Sequence, residues 1–132
     1  MAQTHAAAFQ RERPWRAEEF ASLLSQPTVF ACGDARAFAL IRVVADEAEL
    51  LTIATAPQHQ RQGQARRIMS DWHAKAAQRG AIRAILEVAE DNIEARALYA
   101  SCGYSECARR PEYYATAGGS YVDAILMDRQ LP

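Results

Sequence analysis

The sequence lacks several features that mark common protein classes. It has no apolar run near the ~20 residues of a membrane span, and its N-terminus lacks the apolar core of a signal peptide. Its three cysteines, Cys32, Cys102 and Cys107, form no CxxC pair, which argues against a disulfide framework and a structural zinc site. We therefore expect a cytoplasmic protein with no membrane partner and no metal.

Neither positive nor negative charge is in clear excess. The formal net charge of the 132 residues is −1, so the surface as a whole does not suit nucleic acid. One segment departs from this balance: residues 50–70 contain no Asp or Glu, whereas His59, Arg61, Arg66 and Arg67 all lie within it. A local basic cluster of this kind predicts a small anionic ligand rather than DNA.

The arginines of this segment lie where a helix is predicted to begin. A helix N-terminus carries partial positive charge, so an exposed cation there costs ~0.3–1 kcal/mol. Free N–H groups and arginines together suit a phosphate. The GK[ST] ending of a Walker loop and the GxGxxG fingerprint are absent, and the pattern present is Gln60-x-x-Gly63-x-Ala65. From this segment alone, a solvated basic helix start is an open alternative.

Periodicity and turn residues predict a single mixed α/β domain over residues 1–132. The predicted helices are 3–9, 17–24, 63–79 and 91–103, and the predicted strands are 28–32, 36–45, 48–55, 81–89, 104–110 and 121–128. Short turns between the first three strands indicate an antiparallel meander. A long loop containing Gly118 and Gly119 joins the last two strands. The predicted inner face of the helix over 63–79 is Ala65, Ile68, Met69, Trp72 and Ala76.

Two ionisable residues stand in otherwise apolar elements. Glu87 lies in the strand segment AILEV and shares a face with Ile85, so its carboxylate is either solvated near an edge or part of a site. Tyr99 belongs to the inner face of the helix over 91–103, where most tyrosines are packing residues. From these elements alone, a structural role and a catalytic role both stay open.

Two other sequence patterns give weaker evidence for a function. A cysteine paired with His59 or His73 would suggest a nucleophile, but no spacing supports that pairing. The segment ARRPEYYATAGGSY is basic and aromatic, yet it lacks a run of basic residues and a stacking motif. Nucleic acid is therefore not an expected partner.

Two ordered segments, LLTIATAPQHQRQGQARRIM and AILEVAEDNIEARALYASCGY, resemble the GNAT superfamily of acetyl-CoA-dependent N-acetyltransferases. The first is similar to its Q/R-x-x-G-x-G/A pyrophosphate loop, and the second to the strand, Asn and Leu-Tyr helix that follow. The later pattern RR..YY…DAILM adds a resemblance to the ribosomal-protein-alanine N-acetyltransferases, the RimI family. The resemblance implies the GNAT fold, with N-terminal helices, an antiparallel meander, a central helix packed on the sheet and a C-terminal hairpin.

The resemblance also implies a role for each matching residue. Glu87 would be the general base and Tyr99 the general acid. The coenzyme A contacts would come from Ile53, Ala54, Thr55, Arg61, Gln62, Gly63, Gln64, Ala65, Arg66 and Asn92. The acceptor would contact Tyr113, Tyr114 and Asp123 in the hairpin. The ligand's pyrophosphate would then balance the arginines at the helix start.

The sequence departs from the family pattern at several positions. Ala65 replaces the commoner second glycine, and Gln64 replaces an apolar residue. Val122 precedes Asp123 where an acid is usual, and Ala115 stands where a proline often follows the Tyr-Tyr pair. The family's usual first strand is expected to be missing or very short. The hairpin departures leave the identity of the acceptor open.

The implied reaction is direct transfer of an acetyl group from acetyl-CoA to a neutral amine. At pH 7, deprotonating an α-amine with a pKa of ~8 costs about 1.4 kcal/mol, whereas a lysine near ~10.4 costs about 4.6 kcal/mol. We therefore expect the N-terminal α-amine of a protein as acceptor, such as a small-subunit ribosomal protein. A small-molecule amine and a non-catalytic acyl-CoA-binding regulatory domain are the alternatives. The sequence leaves the oligomeric state open.

Overall fold

The computed structural model describes residues 16–56, 63–116 and 118–132. Within these ranges the helices are α1 (Ala17–Leu24), α2 (Gln64–Gln78) and α3 (Ile93–Ser101). The strands are β1 (Val29–Gly33), β2 (Ala37–Val44), β3 (Glu47–Thr55), β4 (Arg83–Ala89), β5 (Ser105–Ala115) and β6 (Tyr121–Gln130). The predicted helix over 3–9 and the expectation about a first strand lie outside the described residues.

The six strands form one sheet in the order β1-β2-β3-β4-β6-β5. The predicted antiparallel meander of β1, β2 and β3 is confirmed. β4 lies parallel to β3, and α2 supplies the crossover that a parallel pair requires. β6 lies between β4 and β5 and is antiparallel to both. The predicted mixed α/β fold class is therefore confirmed.

Apolar side chains cover both faces of the first half of this sheet. The larger core joins α2 and α3 to one face, and Ile68, Met69 and Trp72 of α2 are fully buried there. A smaller cluster on the other face joins Phe20 of α1 to Phe38 of β2, whose ring centroids lie 5.6 Å apart. Because successive side chains of a strand point to opposite faces, one apolar strand can serve both cores.

The inner face of α2 differs from the prediction at two positions. His73 is buried, whereas Ala65 is half-buried. Nε2 of His73 lies 2.7 Å from the hydroxyl oxygen of Tyr104, so the buried imidazole has a polar partner. His73 follows Met69 by four residues, and that spacing alone places it on the buried stripe.

The predicted long loop between the last two strands is wrong. β5 continues to Ala115, so only residues 116–120 separate it from β6. Pro111 lies within β5, and the edge position of this strand tolerates a residue without an N–H. A register shift between Arg110 and Tyr114 takes up the additional residues as a bulge.

The sheet opens between β3 and β4. Their pairing covers residues 47–49 of β3 and 83–85 of β4, although β3 runs on to Thr55 and β4 to Ala89. A register shift places Leu51 as an extra residue of β3 opposite β2, and such a bulge bends its strand. The opening therefore lies toward the carboxyl ends of two parallel strands, where sheets of this kind commonly bind ligands.

Candidate active site

The last residues of β3 form one side of the opening. Ala54 is buried in the smaller cluster, and Ile53 packs against the larger core. Thr55 is half-buried at the strand end. The side chains of Ile53 and Ala54 thus fix the strand on its two faces, and the backbone of β3 borders the opening toward β4. The coenzyme A contact that the resemblance implies for Ile53, Ala54 and Thr55 stays a prediction.

Glu87 lies on the other side of the opening, on β4. Leu86 and Val88 are buried in the larger core, so strand alternation directs Glu87 to the opposite face. Its side chain is 32% exposed, and its Oε1 lies 3.9 Å from Nε of Arg110. The carboxylate therefore reaches solvent while a cation stands beside it.

Tyr99 lies on α3, directly after β4 in the chain. It is buried in the same larger core as Leu86 and Val88, and its ring centroid lies 6.1 Å from that of Tyr104. Burial, and to a smaller degree Cys102, raises the pKa of Tyr99 to about 12. The hydroxyl therefore keeps its proton at neutral pH, as a proton donor must.

Glu87 and Tyr99 consequently stand on opposite faces of β4. The split between β3 and β4 interrupts the sheet beside both of them, since the pairing stops two residues before Glu87. Glu87 is therefore exposed on one face of β4 beside the opening, and Tyr99 is buried in the core on the other face. Such an arrangement suits a reaction that removes a proton on one side and supplies one on the other.

The start of α2 has no side-chain cap. Gly63 is its N-cap with φ of 74°, a left-handed conformation that favours glycine, and among the described residues, chain neighbours aside, no atom lies within 4 Å of where a Cβ would stand. The first N–H groups of an α-helix, here those of Gln64, Ala65 and Arg66, have no intrahelical acceptor, and glycine offers no side chain to cap them. Arg61 and Gln62 lie outside the described residues.

The arginines at this helix start have protein partners, which the sequence does not predict. Nη2 of Arg66 donates to Oγ of Ser101 at 2.9 Å, at the C-terminal end of α3, where a cation is favoured. Nη2 of Arg67 donates to Oε1 of Gln64 at 2.5 Å, and its Nη1 lies 3.8 Å from Asp71. The protein itself thus balances part of the charge that an anion is expected to balance.

Asn92, predicted to contact the cofactor, caps α3. Its Oδ1 accepts a hydrogen bond from the N–H of Ala95 at 3.3 Å. A side-chain cap of this kind stabilises a helix by roughly 1 kcal/mol and fixes where α3 begins. Its amide nitrogen is not used by this cap, so the predicted cofactor contact stays a prediction.

The predicted acceptor residues lie in the β5–β6 hairpin. The rings of Tyr113 and Tyr114 meet edge to face, with centroids 5.1 Å apart, and Tyr113 is 51% exposed. The carboxylate of Asp123 is already engaged, since Oδ2 accepts from Arg109 and Oδ1 from the N–H of Glu112, both at 3.1 Å. The structure therefore places an aromatic pair at the surface and Asp123 within an internal hydrogen-bond network.

Two cations of β5 take part in the site, although the sequence singles out neither. Arg109 lies within 3.3 Å of carboxylate oxygens of Glu90, Glu106 and Asp123. The guanidinium of Arg110 lies beside Glu87 and 5.4 Å from the Tyr113 ring centroid. The paired arginines before the Tyr-Tyr motif were the available signal, but only the observed register shows which acids they meet.

Within residues 16–56, 63–116 and 118–132, no group of three His, Cys, Asp or Glu side chains is placed to hold a metal ion. No helix of these ranges is both long and apolar enough to cross a membrane.

Known proteins are similar to this chain in sequence and in fold. Residues 2–104 match the acetyltransferase (GNAT) family. The ribosomal protein bS18-alanine N-acetyltransferase of Escherichia coli (strain K12) is 38% identical over 118 residues, which are 86% of this chain and 79% of that protein. The protein of the same name from Salmonella typhimurium is 43% identical over 91 residues, 69% of this chain and 61% of that protein.

Solved structures agree with these relatives. The crystal structure of the ribosomal-protein-S18-alanine N-acetyltransferase from Escherichia coli has a TM-score of 0.88 and 34% identity, covering 98% of this chain and 84% of that chain. Arabidopsis thaliana NAA60 in complex with acetyl-CoA has the same fold, with a TM-score of 0.81 at 14% identity over 98% of this chain and 90% of that chain. The resemblance to the RimI family is thus confirmed, and the chain belongs to the GNAT family of acetyltransferases as an acetyl-CoA-dependent N-acetyltransferase.

Proposed function

We propose that this enzyme acetylates the N-terminal α-amine of a protein, with a small-subunit ribosomal protein as the first candidate. The observation that carries the proposal is the placement of Glu87 and Tyr99 on opposite faces of β4, the strand that borders the opening toward β3. The printed activity of the Escherichia coli relative, an alanine N-acetyltransferase of ribosomal protein bS18, supports the acceptor class.

Acetyl-CoA enters this proposal through two described surfaces. The backbone of Ile53, Ala54 and Thr55 receives the pantetheine arm where β3 separates from β4. The pyrophosphate binds the free N–H groups at the start of α2, which the absence of a side chain on Gly63 leaves accessible. The loop residues assigned to the same phosphates are Arg61, Gln62, Gly63, Gln64, Ala65 and Arg66, and Asn92 contacts the cofactor beside them.

The chemistry balances with these two residues alone. Glu87 takes a proton from the acceptor ammonium, and the neutral nitrogen attacks the thioester carbonyl carbon. The carbon–sulfur bond then breaks, and the departing thiolate receives the hydroxyl proton of Tyr99. The second nitrogen proton returns to Tyr99, and the proton on Glu87 leaves to solvent. The products are an amide and coenzyme A.

The acceptor class follows from the cost of deprotonating the amine at neutral pH. Glu87, a partly exposed carboxylate beside Arg110, accepts the proton. An α-amine of pKa ~8 loses its proton at small cost, whereas a lysine near ~10.4 adds about 3 kcal/mol to the barrier. The preference is therefore for N-terminal amines.

The acceptor peptide lies against the hairpin in this proposal. Tyr113 and Tyr114 offer apolar faces with polar tips beside Arg110, and Asp123 lies behind them on β6. The three cysteines are unpaired, which supports a cytoplasmic location. The proposal treats residues 1–132 as one catalytic domain without nucleic-acid, membrane or metal partners.

The test is coenzyme A release from acetyl-CoA with a panel of amines. The central pair is an N-terminal alanine peptide and the same peptide with a blocked N-terminus and one lysine. We expect release with the first peptide and at least tenfold less with the second. Release only with small-molecule amines would replace the proposal with the small-amine alternative, and no release with any amine would favour a regulatory acyl-CoA-binding domain.

A further inference from the structure

Asp123 lies on β6 where three segments meet. Its Oδ1 accepts a hydrogen bond from the N–H of Glu112, and its Oδ2 accepts one from Arg109. Its backbone carbonyl accepts from the N–H of Glu90, just beyond β4, at 2.9 Å. The carboxylate is 26% exposed. One residue thus joins the end of β4, the body of β5 and the bulge of β5.

The bulge consists of residues 111–113. Arg110 pairs with Ala124 and Tyr114 with Val122, so the three residues of β5 oppose Asp123 alone. Within the bulge Glu112 has φ of 50°, a left-handed conformation that residues other than glycine adopt only where their surroundings hold it. The bond from the N–H of Glu112 to Asp123 holds this conformation.

The bulge determines where the aromatic pair stands. Tyr113 is its last residue, and Tyr114 follows directly. Arg110, on the other flank of the bulge, contacts the Tyr113 ring and Glu87. A change in the bulge would therefore move the tyrosines relative to the carboxylate that receives the amine proton.

Asp123 itself points away from that carboxylate. Leu126 pairs with Glu87 across the two strands, so their side chains share a face of the sheet. Asp123 precedes Leu126 by three residues, and strand alternation directs it to the opposite face. A direct bond to an amine beside Glu87 would require the carboxylate to leave both Arg109 and Glu112.

We propose that Asp123 is a positioning residue, which selects the acceptor by fixing the β5 bulge and hence the Tyr113–Tyr114 pair, rather than by contacting the acceptor. This inference rests on the proposed function and replaces the direct contact that the sequence predicts. It assigns acceptor specificity to a backbone N–H bond inside the hairpin.

Two substitutions separate the two roles. Asp123→Asn removes the charge and keeps an oxygen that can accept from Glu112. Asp123→Ala removes both. The matched control is Glu106→Gln, which also removes a carboxylate from Arg109 but has no contact with the bulge. Each protein is assayed with the amine that gives the highest native rate, and hydrogen exchange of the Glu112 amide is followed in parallel.

We expect Asp123→Ala to raise the acceptor KM roughly tenfold or more, as loss of an internal hydrogen bond would, and to speed exchange at Glu112. Asp123→Asn and Glu106→Gln should change the acceptor KM less than about threefold, and the acetyl-CoA KM should stay constant in all three. Equal KM increases in Asp123→Asn and Asp123→Ala would overturn the inference in favour of direct contact.

An unchanged acceptor KM or unchanged Glu112 exchange in Asp123→Ala would also overturn it. These outcomes concern the variants only, whereas loss of the proposed function would appear as a native enzyme that transfers acetyl to no N-terminal amine. The exchange measurement needs no acceptor, so it tests the bulge contact even in that case.

Discussion

Strands β2 and β5 lie in opposite halves of the same sheet and are stabilised in different ways. From Ala37 to Ile41, β2 is completely buried and contributes to apolar cores on both faces. Every β5 residue except Tyr114 is exposed, and its side chains form ion pairs around Arg109. One half of the sheet therefore depends on hydrophobic burial, whereas the β5 edge depends on charge pairs and bulged pairing with β6.

The difference matches the two substrates of the proposed reaction. The proposed acetyl-CoA surfaces belong to β3 and α2, which the larger core fixes. The proposed acceptor surface belongs to the hairpin, where a single substitution can change local geometry without unfolding a core. In this proposal donor binding is separate from acceptor choice, and the proposed catalytic residues lie between the two regions.

The largest expected effect is at the boundary between the regions. Glu87→Gln keeps the side-chain shape and loses the proton-accepting charge, so turnover should fall by ~10²–10⁴-fold. Raising the pH should restore part of the rate, because more acceptor amine is then neutral. Steady-state rates against pH, measured beside melting temperatures, check both points. Native turnover in this variant would remove Glu87 from the catalytic step.

The second-largest expected effect is a loss of stability in the buried core. Trp72 is fully buried, so Trp72→Ala should destabilise the fold by ~3–5 kcal/mol through lost burial and a cavity. Tyr113→Ala, at an exposed position of the hairpin, should change stability by less than about 0.5 kcal/mol. Urea unfolding of both variants gives the comparison. Similar losses would show that the hairpin is as tightly packed as the core.

The two ends should also respond to acid in different pH windows. Burial, with a smaller effect of Arg129, lowers the pKa of His73 from 6.5 to about 4. Neutral His73 therefore contributes stability that is complete above pH 6.5 and is lost as the pH falls toward 4, a change of ~3 kcal/mol at most. In the hairpin, the hydrogen bond from Arg109 lowers the pKa of Glu106. The stability that ionised Glu106 contributes is therefore complete above pH 4.5 and is lost only below it.

Melting temperatures between pH 4 and 7 test this order. His73→Gln is neutral throughout the range, so its curve should be flatter than the native curve. Equal slopes for the two proteins would show that His73 is not buried in its neutral form. Glu106→Gln is the control, and its slope in this range should equal the native slope.

Acetyl-CoA should stabilise the protein by an amount comparable to the contribution of neutral His73. Ligand at ~100 times its Kd adds about 2.7 kcal/mol to the free energy of unfolding. Gly63→Val should abolish this increase, because a β-branched residue does not fit φ of 74° and its side chain would stand where phosphate approaches. The measurement is thermal unfolding with and without acetyl-CoA. A native melting curve that saturating ligand leaves unchanged would rule out the site.

The smallest expected effect is on the leaving group. Tyr99→Phe keeps the buried ring and removes the hydroxyl, so stability should change little. A thiolate of pKa ~8.5 leaves readily, which places the rate loss below the ~10²–10⁴-fold expected for Glu87→Gln. Rates for the two variants under the same conditions decide the order. A native rate for Tyr99→Phe would return Tyr99 to the role of a packing residue.

The sequence predicts most of what local patterns control. Apolar spacing is sufficient to place Ile68, Met69 and Trp72 on one face of α2, and short turns indicate the meander. The parallel pairing of β3 with β4 is not local, so the sequence analysis does not predict the opening between them. Glu87 and Tyr99 likewise acquire roles from the family pattern, because each also fits a structural role in its own element.

The missing parts depend on contacts between distant residues. The bond from Arg66 to Ser101 joins two helices through residues that lie 35 positions apart, and no spacing rule connects them. The predicted loop after residue 110 fails because Pro111 is typical of turns, whereas pairing with β6 and the bond from Glu112 to Asp123 keep this segment in a bulged strand. Tertiary pairing overrides local propensity at these positions.

Mass spectrometric location of the transferred acetyl group tests the central claim most directly. The substrate is a peptide with a free N-terminal alanine and one internal lysine, incubated with the native enzyme and acetyl-CoA. The account predicts acetylation of the α-nitrogen, with Glu87→Gln giving the same product more slowly. Acetylation of the lysine nitrogen at an equal or higher rate, or no acetylated peptide at all, would contradict it.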